Sequence, residues 1–161
     1  MSSILLVAIL AVPTYFLWSF LHETSHLLAY FATTKVYKWR MKFWPHIDNG
    51  RLRFGALRVQ CDYISLQREW GIGLAPRMLG GLACVAFALC AQWLGGLGLA
   101  AVGTVACGGV VDTLFGSIGW SDRSDVVKAA RSLGVDPWAI RIPGIMVAAA
   151  SVVAFVLGVM T

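Results

Sequence analysis

Long apolar runs constrain the fold of this chain more than any other feature of its sequence. A helix needs about 20 apolar residues to cross a hydrocarbon core of ~30 Å. Four stretches reach that length, from Ser3 to about Thr33, about Gly71 to Leu94, about Gly96 to Gly119 and about Trp138 to Met160. Hydrophobic residues make up 58% of the 161 residues and charged residues only 13%. The sequence therefore predicts one polytopic α-helical membrane domain, residues 1–161, with about four transmembrane helices.

A different pattern separates the first two apolar runs. From Val36 to Phe43, apolar and aromatic residues alternate with basic ones, and a period of two is typical of a strand. The residues Asp48-Asn49-Gly50 have turn chemistry, and the alternation resumes after them. The sequence predicts a β-hairpin or small sheet at about residues 35–61. Its basic face would also suit anionic lipid headgroups.

Basic residues are concentrated in two segments of the chain. Eight Lys and Arg residues lie between the first and second apolar runs and four follow the third run, whereas both ends and the second connection contain none. The positive-inside rule then places both basic segments, including the β-ribbon, in the cytoplasm and both termini outside a multi-pass integral membrane protein. Membrane topology explains the net charge of +5, so we expect a lipid bilayer and no nucleic acid as a partner.

Residues 22–26 form an H-E-x-x-H motif, His-Glu-Thr-Ser-His, inside the first apolar run. On a helix, His22 and His26 project from one face, so their imidazoles can hold one Zn²⁺ while Glu23 reaches a zinc-activated water. Short motifs often match by chance. Three ionisable groups in a membrane helix are costly, however, and tend to face polar partners. The motif therefore predicts a zinc site with Glu23 as general base.

A catalytic zinc site needs a third protein ligand. Asp112 lies in the third apolar run with no basic residue near it in sequence. Like His26, it lies about seven residues, roughly 10 Å, before the cytoplasmic end of its predicted helix, so it is our first candidate. Asp122 is the alternative third ligand. We interpret Asp125 as part of the start of an amphipathic helix, capped by Ser121 or Asp122 and running to Leu133.

This ordered combination resembles the site-2 protease family of intramembrane zinc metalloproteases. The H-E-x-x-H in an early helix, the β-ribbon after it and the Asp in a later apolar helix carry the resemblance. The segment from Val110 to Ile140 is similar to the C-terminal part of the family's small divergent branch. The resemblance implies that His22, His26 and Asp112 are zinc ligands and that Glu23 is the catalytic base of a metalloendopeptidase.

Two positions depart from the family's pattern. Thr113 follows Asp112 where better-known members have Gly, and Ala75-Pro76 stands where the family has Gly-Pro-x-x-Asn, with no Asn after it. The chain therefore lacks the Asn that would support an oxyanion.

The resemblance also implies a reaction and its partners. The substrate is a transmembrane protein, cleaved in or near its spanning segment. An unwound substrate needs new backbone hydrogen bonds, so we expect the β-ribbon to bind it by strand addition, with Tyr37, Trp39 and Leu57 as substrate-binding residues. The alternative is a non-proteolytic scaffold or adaptor that keeps the protease fold. The sequence is also compatible with a regulatory membrane partner or with a homo-oligomer.

Overall fold

The computed structural model describes residues 3–48, 50–53, 55–91, 93–94, 96–118 and 124–160. In these ranges the chain forms five α-helices and four short strands. The helices are α1 Ser3–Thr33, α2 Glu69–Ala91, α3 Gly96–Ile118, α4 Asp125–Leu133 and α5 Trp138–Met160. The strands, all between α1 and α2, are β1 Val36–Lys42, β2 His46–Asp48, β3 Arg51–Arg53 and β4 Ala56–Cys61. A 3₁₀ turn, Leu66–Arg68, leads into α2.

The prediction of about four transmembrane helices is wrong. In the described part of the chain, one helical segment, Gly98–Ile118 of α3, is long and apolar enough to cross a membrane, and Trp138–Val153 is a shorter apolar helix. Long helices do occupy the four apolar runs. Apolar composition alone, however, does not distinguish a helix that spans a bilayer from one that packs on other helices. Here α2 and α3 pack on each other, and both pack on α1 and on α5.

The contact between α1 and α3 depends on one tryptophan and one glycine. The indole Nε1 of Trp18 donates a hydrogen bond to the Val105 carbonyl across a 2.7 Å distance, and the Trp18 side chain is buried. A Cβ at Gly108 would lie 2.7 Å from Trp18 Cδ1 and 2.5 Å from Thr14 Cγ2. Glycine at this position therefore lets α3 approach α1 closely. The H-E-x-x-H face of α1 then lies near the C-terminal half of α3.

The four strands form two antiparallel pairs, β1 with β4 and, between them in sequence, β2 with β3. Gly50 has φ 74° in the turn between β2 and β3, a conformation that glycine adopts without strain. Phe43, just after β1, lies edge-on to Phe16 and Phe20 of α1, with ring centroids 6.4 and 6.0 Å apart. These aromatic contacts hold the β-ribbon against α1, so that its strands lie beside the motif-bearing helix.

The short helix α4 is amphipathic and begins one Ser-Asp pair later than predicted. Ser124 is its N-cap and accepts a hydrogen bond from the backbone N–H of Val127. The predicted caps, Ser121 and Asp122, lie outside the described residues. The Ser-Asp sequence occurs at both places, and both have the same capping chemistry, which explains the error. The buried face of α4, Val126, Ala129 and Ala130, packs on α2.

Gly73 of α2 allows α4 to lie close to that helix. A Cβ at this position would lie 2.7 Å from the backbone oxygen of Asp125 and 3.2 Å from Ala129 Cβ. We therefore expect Gly73→Ala to lower the free energy of unfolding by about 1–3 kcal/mol, because α4 must move outward. Thermal unfolding measures this as a lower Tm.

Gly71 provides the matched control for that substitution. It lies in the same helix, and a Cβ there would meet nothing within 4 Å. Gly71→Ala should be neutral or stabilising by up to about 1 kcal/mol, since alanine has the higher helix propensity. Equal Tm values for the two variants would mean that α2 and α4 are not in the close contact described.

Candidate metal centre

Helix α1 presents His22, Glu23 and His26 toward one cavity. Residues four apart in a helix project from the same face, and the polar run of the motif therefore stays together on the inner side of α1. The cavity has a volume of about 1670 Å³, and besides α1 it is lined by residues of α2, α3 and α4 and of the strands β2, β3 and β4. Polar groups from distant parts of the sequence meet the motif here.

One nitrogen of each histidine faces the carboxylate of Asp125, the first residue of α4. His26 Nε2 lies 3.3 Å and His22 Nε2 3.9 Å from Asp125 Oδ2. One ligand atom from each of the three residues lies within 4.8 Å of the others. Two donors bound at ~2.0–2.1 Å to a tetrahedral Zn²⁺ lie about 3.4 Å apart. The distance from His26 Nε2 to Asp125 Oδ2 matches this value and the distance from His22 Nε2 is longer, so a small shift of His22 or Asp125 would let the three groups share one ion.

The other nitrogen of each histidine already has an acceptor. His26 Nδ1 lies 2.7 Å from the Ile72 carbonyl, and His22 Nδ1 lies 3.1 and 3.2 Å from the two carboxylate oxygens of Asp112. A carbonyl or carboxylate can only accept, so each Nδ1 donates its hydrogen, and Nε2 keeps its lone pair in the neutral ring. Histidines that bind metals in proteins are held by outer partners in this way.

Glu23 is buried, with 8% of its surface exposed, and it lines the same cavity. A Cβ at Gly55, just before β4, would lie 2.5 Å from Glu23 Oε1 and 3.1 Å from Ser19 Oγ. The backbone before β4 can come this close to the Glu23 carboxylate because residue 55 has no side chain. The β-ribbon thus forms one wall beside the predicted general base.

Acidic and basic side chains both line the cavity around the histidines. Three carboxylates, those of Glu23, Asp112 and Asp125, lie beside the histidine pair, and Arg77 on α2 lines the same cavity. The rest of the lining includes Arg53, Arg58 and Lys128 as well as Asp48 and Glu69, so the cavity as a whole has four basic and five acidic side chains. Protons on the histidines, or a bound cation, would stabilise the three carboxylates beside the histidine pair, because buried charges need a partner of opposite sign.

The histidine pair favours the charged form of the Asp125 carboxylate. Burial opposes its ionisation, but when His22 and His26 are protonated, their hydrogen bonds to the carboxylate and their positive charges hold the pKa of Asp125 well below its ordinary value. An ionised carboxylate is the form that coordinates a metal. A cation bound in place of the histidine protons would favour the same charged form of Asp125.

The structure brings together His22, Glu23, His26 and Asp112, all of which were proposed from sequence. Asp112, the first candidate for third ligand, faces Nδ1 of His22, whereas the carboxylate facing both Nε2 atoms belongs to Asp125. The alternative, Asp122, lies outside the described residues. The sequence analysis did not select Asp125 as a ligand candidate, because an Asp at this position is also typical of a helix start. The second Ser-Asp pair, Ser124-Asp125, was the one local signal that could have added Asp125 to the candidates.

The three predicted substrate-binding residues lie in different places. Leu57 of β4 lines the large cavity. Tyr37 is 57% exposed, and its hydroxyl donates to Asp62 Oδ1 over 2.6 Å. Trp39 is 51% exposed and borders a separate cavity of about 190 Å³. Of the three, Leu57 is therefore the residue that a molecule in the large cavity would contact.

The side chains of His22, His26 and Asp125 form a set of donors that is typical of one class of metal site. Two imidazoles and one carboxylate are a ligand set of catalytic zinc sites, which keep a fourth position open for water or substrate. The three side chains could therefore hold a zinc ion, and Glu23 lines the same cavity. Comparisons of the chain with models of known protein families, with curated proteins and with solved structures found no match.

Proposed function

We propose that this chain is a membrane-associated zinc metallopeptidase in which His22, His26 and Asp125 hold the ion and Glu23 is the general base. One observation carries the proposal: both Nε2 atoms face the same Asp125 oxygen, while both Nδ1 atoms are engaged by acceptors. The resemblance of the sequence to the site-2 protease family supports the same reaction class.

In this proposal the chain's own residues move the protons of a peptide hydrolysis. Zinc, when bound, supplies a positive charge that polarises a carbonyl and lowers the pKa of a water molecule to about 7. Glu23 takes one proton from that water while the water oxygen forms a bond to the peptide carbon. The π electron pair of the C=O bond moves onto the carbonyl oxygen at the same time. The C–N bond then breaks as that pair returns, and Glu23 passes its proton to the leaving nitrogen.

Asp112 has a different role in this proposal from the one implied by the resemblance. Its two carboxylate oxygens lie 3.1 and 3.2 Å from His22 Nδ1, on the side of the ring opposite Nε2. A carboxylate in that position fixes the orientation of the ring and makes Nε2 a better ligand. We therefore propose that Asp112 positions His22, and that the contact with zinc is made by Asp125.

The apolar surface of α3 supports a location in a membrane. Only 17% of its most apolar window, within Gly98–Ile118, is buried inside the structure, and Phe115 is 77% exposed. A helix this apolar and this exposed needs a cover, which lipid provides. Since α3 also carries Asp112, the metal centre would lie beside the bilayer, where an apolar segment of a membrane protein can reach it.

Leu57 is the residue through which we expect the β-ribbon to affect substrate binding. Burying a leucine side chain contributes ~1.5–3 kcal/mol, so Leu57→Ala should raise KM for an apolar peptide by about tenfold and leave kcat little changed. Trp39→Ala changes the same ribbon outside the large cavity and should leave KM within about twofold. Kinetics with a fluorogenic apolar peptide measure both. Equal effects of the two substitutions would count against binding along the Leu57 wall.

Cleavage itself is tested with purified protein in lipid vesicles. We expect close to one zinc ion per chain and new peptide termini, identified by mass spectrometry, when a single-span substrate is present in the same vesicles. A zinc chelator should stop cleavage, and added zinc should restore it. A chain that binds the substrate without zinc and without cleavage would contradict the proposal and favour a scaffold or adaptor.

A further inference from the structure

Arg77 is a charged residue of the cavity for which the metal centre has no assigned use. It lies on α2 and lines the cavity that holds the histidine pair. Its Nη1 donates to the Gly73 carbonyl at 2.8 Å, and its Nη2 donates to the Gly116 carbonyl of α3. The guanidinium thus bridges two helices through backbone acceptors, which fixes its position but does not neutralise its charge.

The hydrogen-bonding capacity of Arg77 is only partly used. A guanidinium has five N–H groups, and two of them are engaged by the two carbonyls. Nε is buried without a hydrogen-bond partner, so it cannot reach a molecule in the cavity. In the described part of the chain Arg77 forms no ion pair. Each terminal nitrogen retains one more N–H, and these two groups are the donors that Arg77 can offer to the cavity.

Both carbonyls that hold Arg77 lie close to the metal centre. Gly116 is one helical turn beyond Asp112 on α3, and Gly73 directly follows Ile72, whose carbonyl holds His26. Burial lowers the pKa of the Arg77 guanidinium, whereas the charges of Asp125 and Asp112 favour its charged form. Arg77 is therefore a fixed positive charge next to the centre, in a site partly shielded from water, where charge interactions are stronger than in bulk solvent.

We propose that Arg77 donates hydrogen bonds from its terminal nitrogens to the carbonyl oxygen of the scissile peptide bond as that oxygen becomes negatively charged. The inference rests on the proposed peptidase function and adds a catalytic residue to it. A donor held in place before the reaction stabilises the developing charge without reorganisation. Arg77 would thus supply the oxyanion support that the sequence lacks an Asn to give.

The test compares Arg77→Met, of similar length and without charge, with Arg77→Lys and the wild type, all loaded with zinc. Removing one oxyanion donor typically lowers kcat about 100- to 1000-fold, and we expect about 100-fold for Arg77→Met with KM within about threefold. Arg77→Lys keeps the charge and should recover about tenfold of the loss. Should Arg77→Met fail to fold, Arg77→Lys alone still has to lower kcat by about tenfold.

Inhibitor binding gives a readout that does not depend on turnover. A peptide phosphinate carries a tetrahedral anionic group, whereas a hydroxamate binds mainly through the metal. Calorimetry should show that Arg77→Met lowers the affinity for the phosphinate about 100-fold and the affinity for the hydroxamate by less than about threefold. Two results would overturn the inference: an equal loss of affinity for both inhibitors, or a loss of zinc with the ratio of the two affinities unchanged. Either would mean that Arg77 only links α2 to α3.

The wild type separates this inference from the function on which it rests. If the wild type holds zinc and cleaves peptides while a folded Arg77→Met variant has the same kcat and phosphinate affinity, only the role of Arg77 is overturned. A wild type with neither zinc nor turnover would overturn the inference together with the proposed function.

Discussion

Glu23→Gln is expected to lower kcat by about three to four orders of magnitude while zinc stays bound. Glutamine has nearly the same size and shape as glutamate but cannot accept the proton of the attacking water. General acid–base catalysis typically contributes 10²–10⁴-fold, and Glu23 serves both proton transfers in the proposed reaction. Because its carboxylate is buried against the backbone at Gly55, an isosteric change should leave the packing intact.

Zinc analysis and peptide kinetics on the same preparation check this expectation. The Glu23→Gln variant should retain the zinc content and Tm of the wild type. Ser19→Ala is a suitable control, since Ser19 lines the same cavity near Gly55 but has no role in the proposed chemistry, and it should stay within about threefold of wild-type kcat. Full turnover by Glu23→Gln would show that the base is another group or that the reaction is not the proposed hydrolysis.

Asp125→Ala is expected to remove zinc binding, whereas Asp112→Ala should only weaken it. Asp125 faces the Nε2 atoms of both histidines, while Asp112 contacts Nδ1 of His22 alone. Loss of an outer partner of a metal-binding histidine typically costs 10- to 100-fold in metal affinity. Loss of one of three protein ligands should cost much more. Competition with a calibrated zinc chelator measures both affinities.

The amide variants Asp112→Asn and Asp125→Asn sharpen this comparison. An Asn at 112 can still accept the hydrogen bond from His22 Nδ1 through its carbonyl oxygen, so Asp112→Asn should bind zinc more tightly than Asp112→Ala. Asp125→Asn loses the charged ligand and should bind zinc poorly, as Asp125→Ala does. The reverse order, with the position-112 variants losing zinc and the position-125 variants keeping it, would make Asp112 the third ligand, as the family resemblance implies.

The parts of this account that could be predicted from sequence depend on local patterns. The spacing of His22, Glu23 and His26 fixes their common face once the run is helical, because residues four apart stack on one side. The alternation from Val36 to Phe43 corresponds to β1, and the turn chemistry around Gly50 corresponds to the β2–β3 turn. These features require only neighbours in sequence, so composition and spacing were enough to find them.

The remaining parts depend on how distant segments pack. Two acidic residues, Asp112 and Asp125, compete for the histidine pair, and the outcome depends on which ring nitrogen each can reach. That is set by the close approach of α4 to Gly73, which no local pattern reveals. The role of Arg77 has the same origin, since Gly116 is 39 positions away. The number of membrane spans was overestimated because apolar composition does not show which helix faces are covered by protein.

A crystal structure of the zinc-loaded protein, with anomalous data collected at the zinc absorption edge, would identify the side chains that bind the ion. The account predicts one anomalous peak at ~2.0–2.2 Å from Nε2 of His22, Nε2 of His26 and a carboxylate oxygen of Asp125, with Asp112 still hydrogen-bonded to Nδ1 of His22. A peak bound to Asp112 in place of Asp125, or no peak between the two histidines, would contradict it.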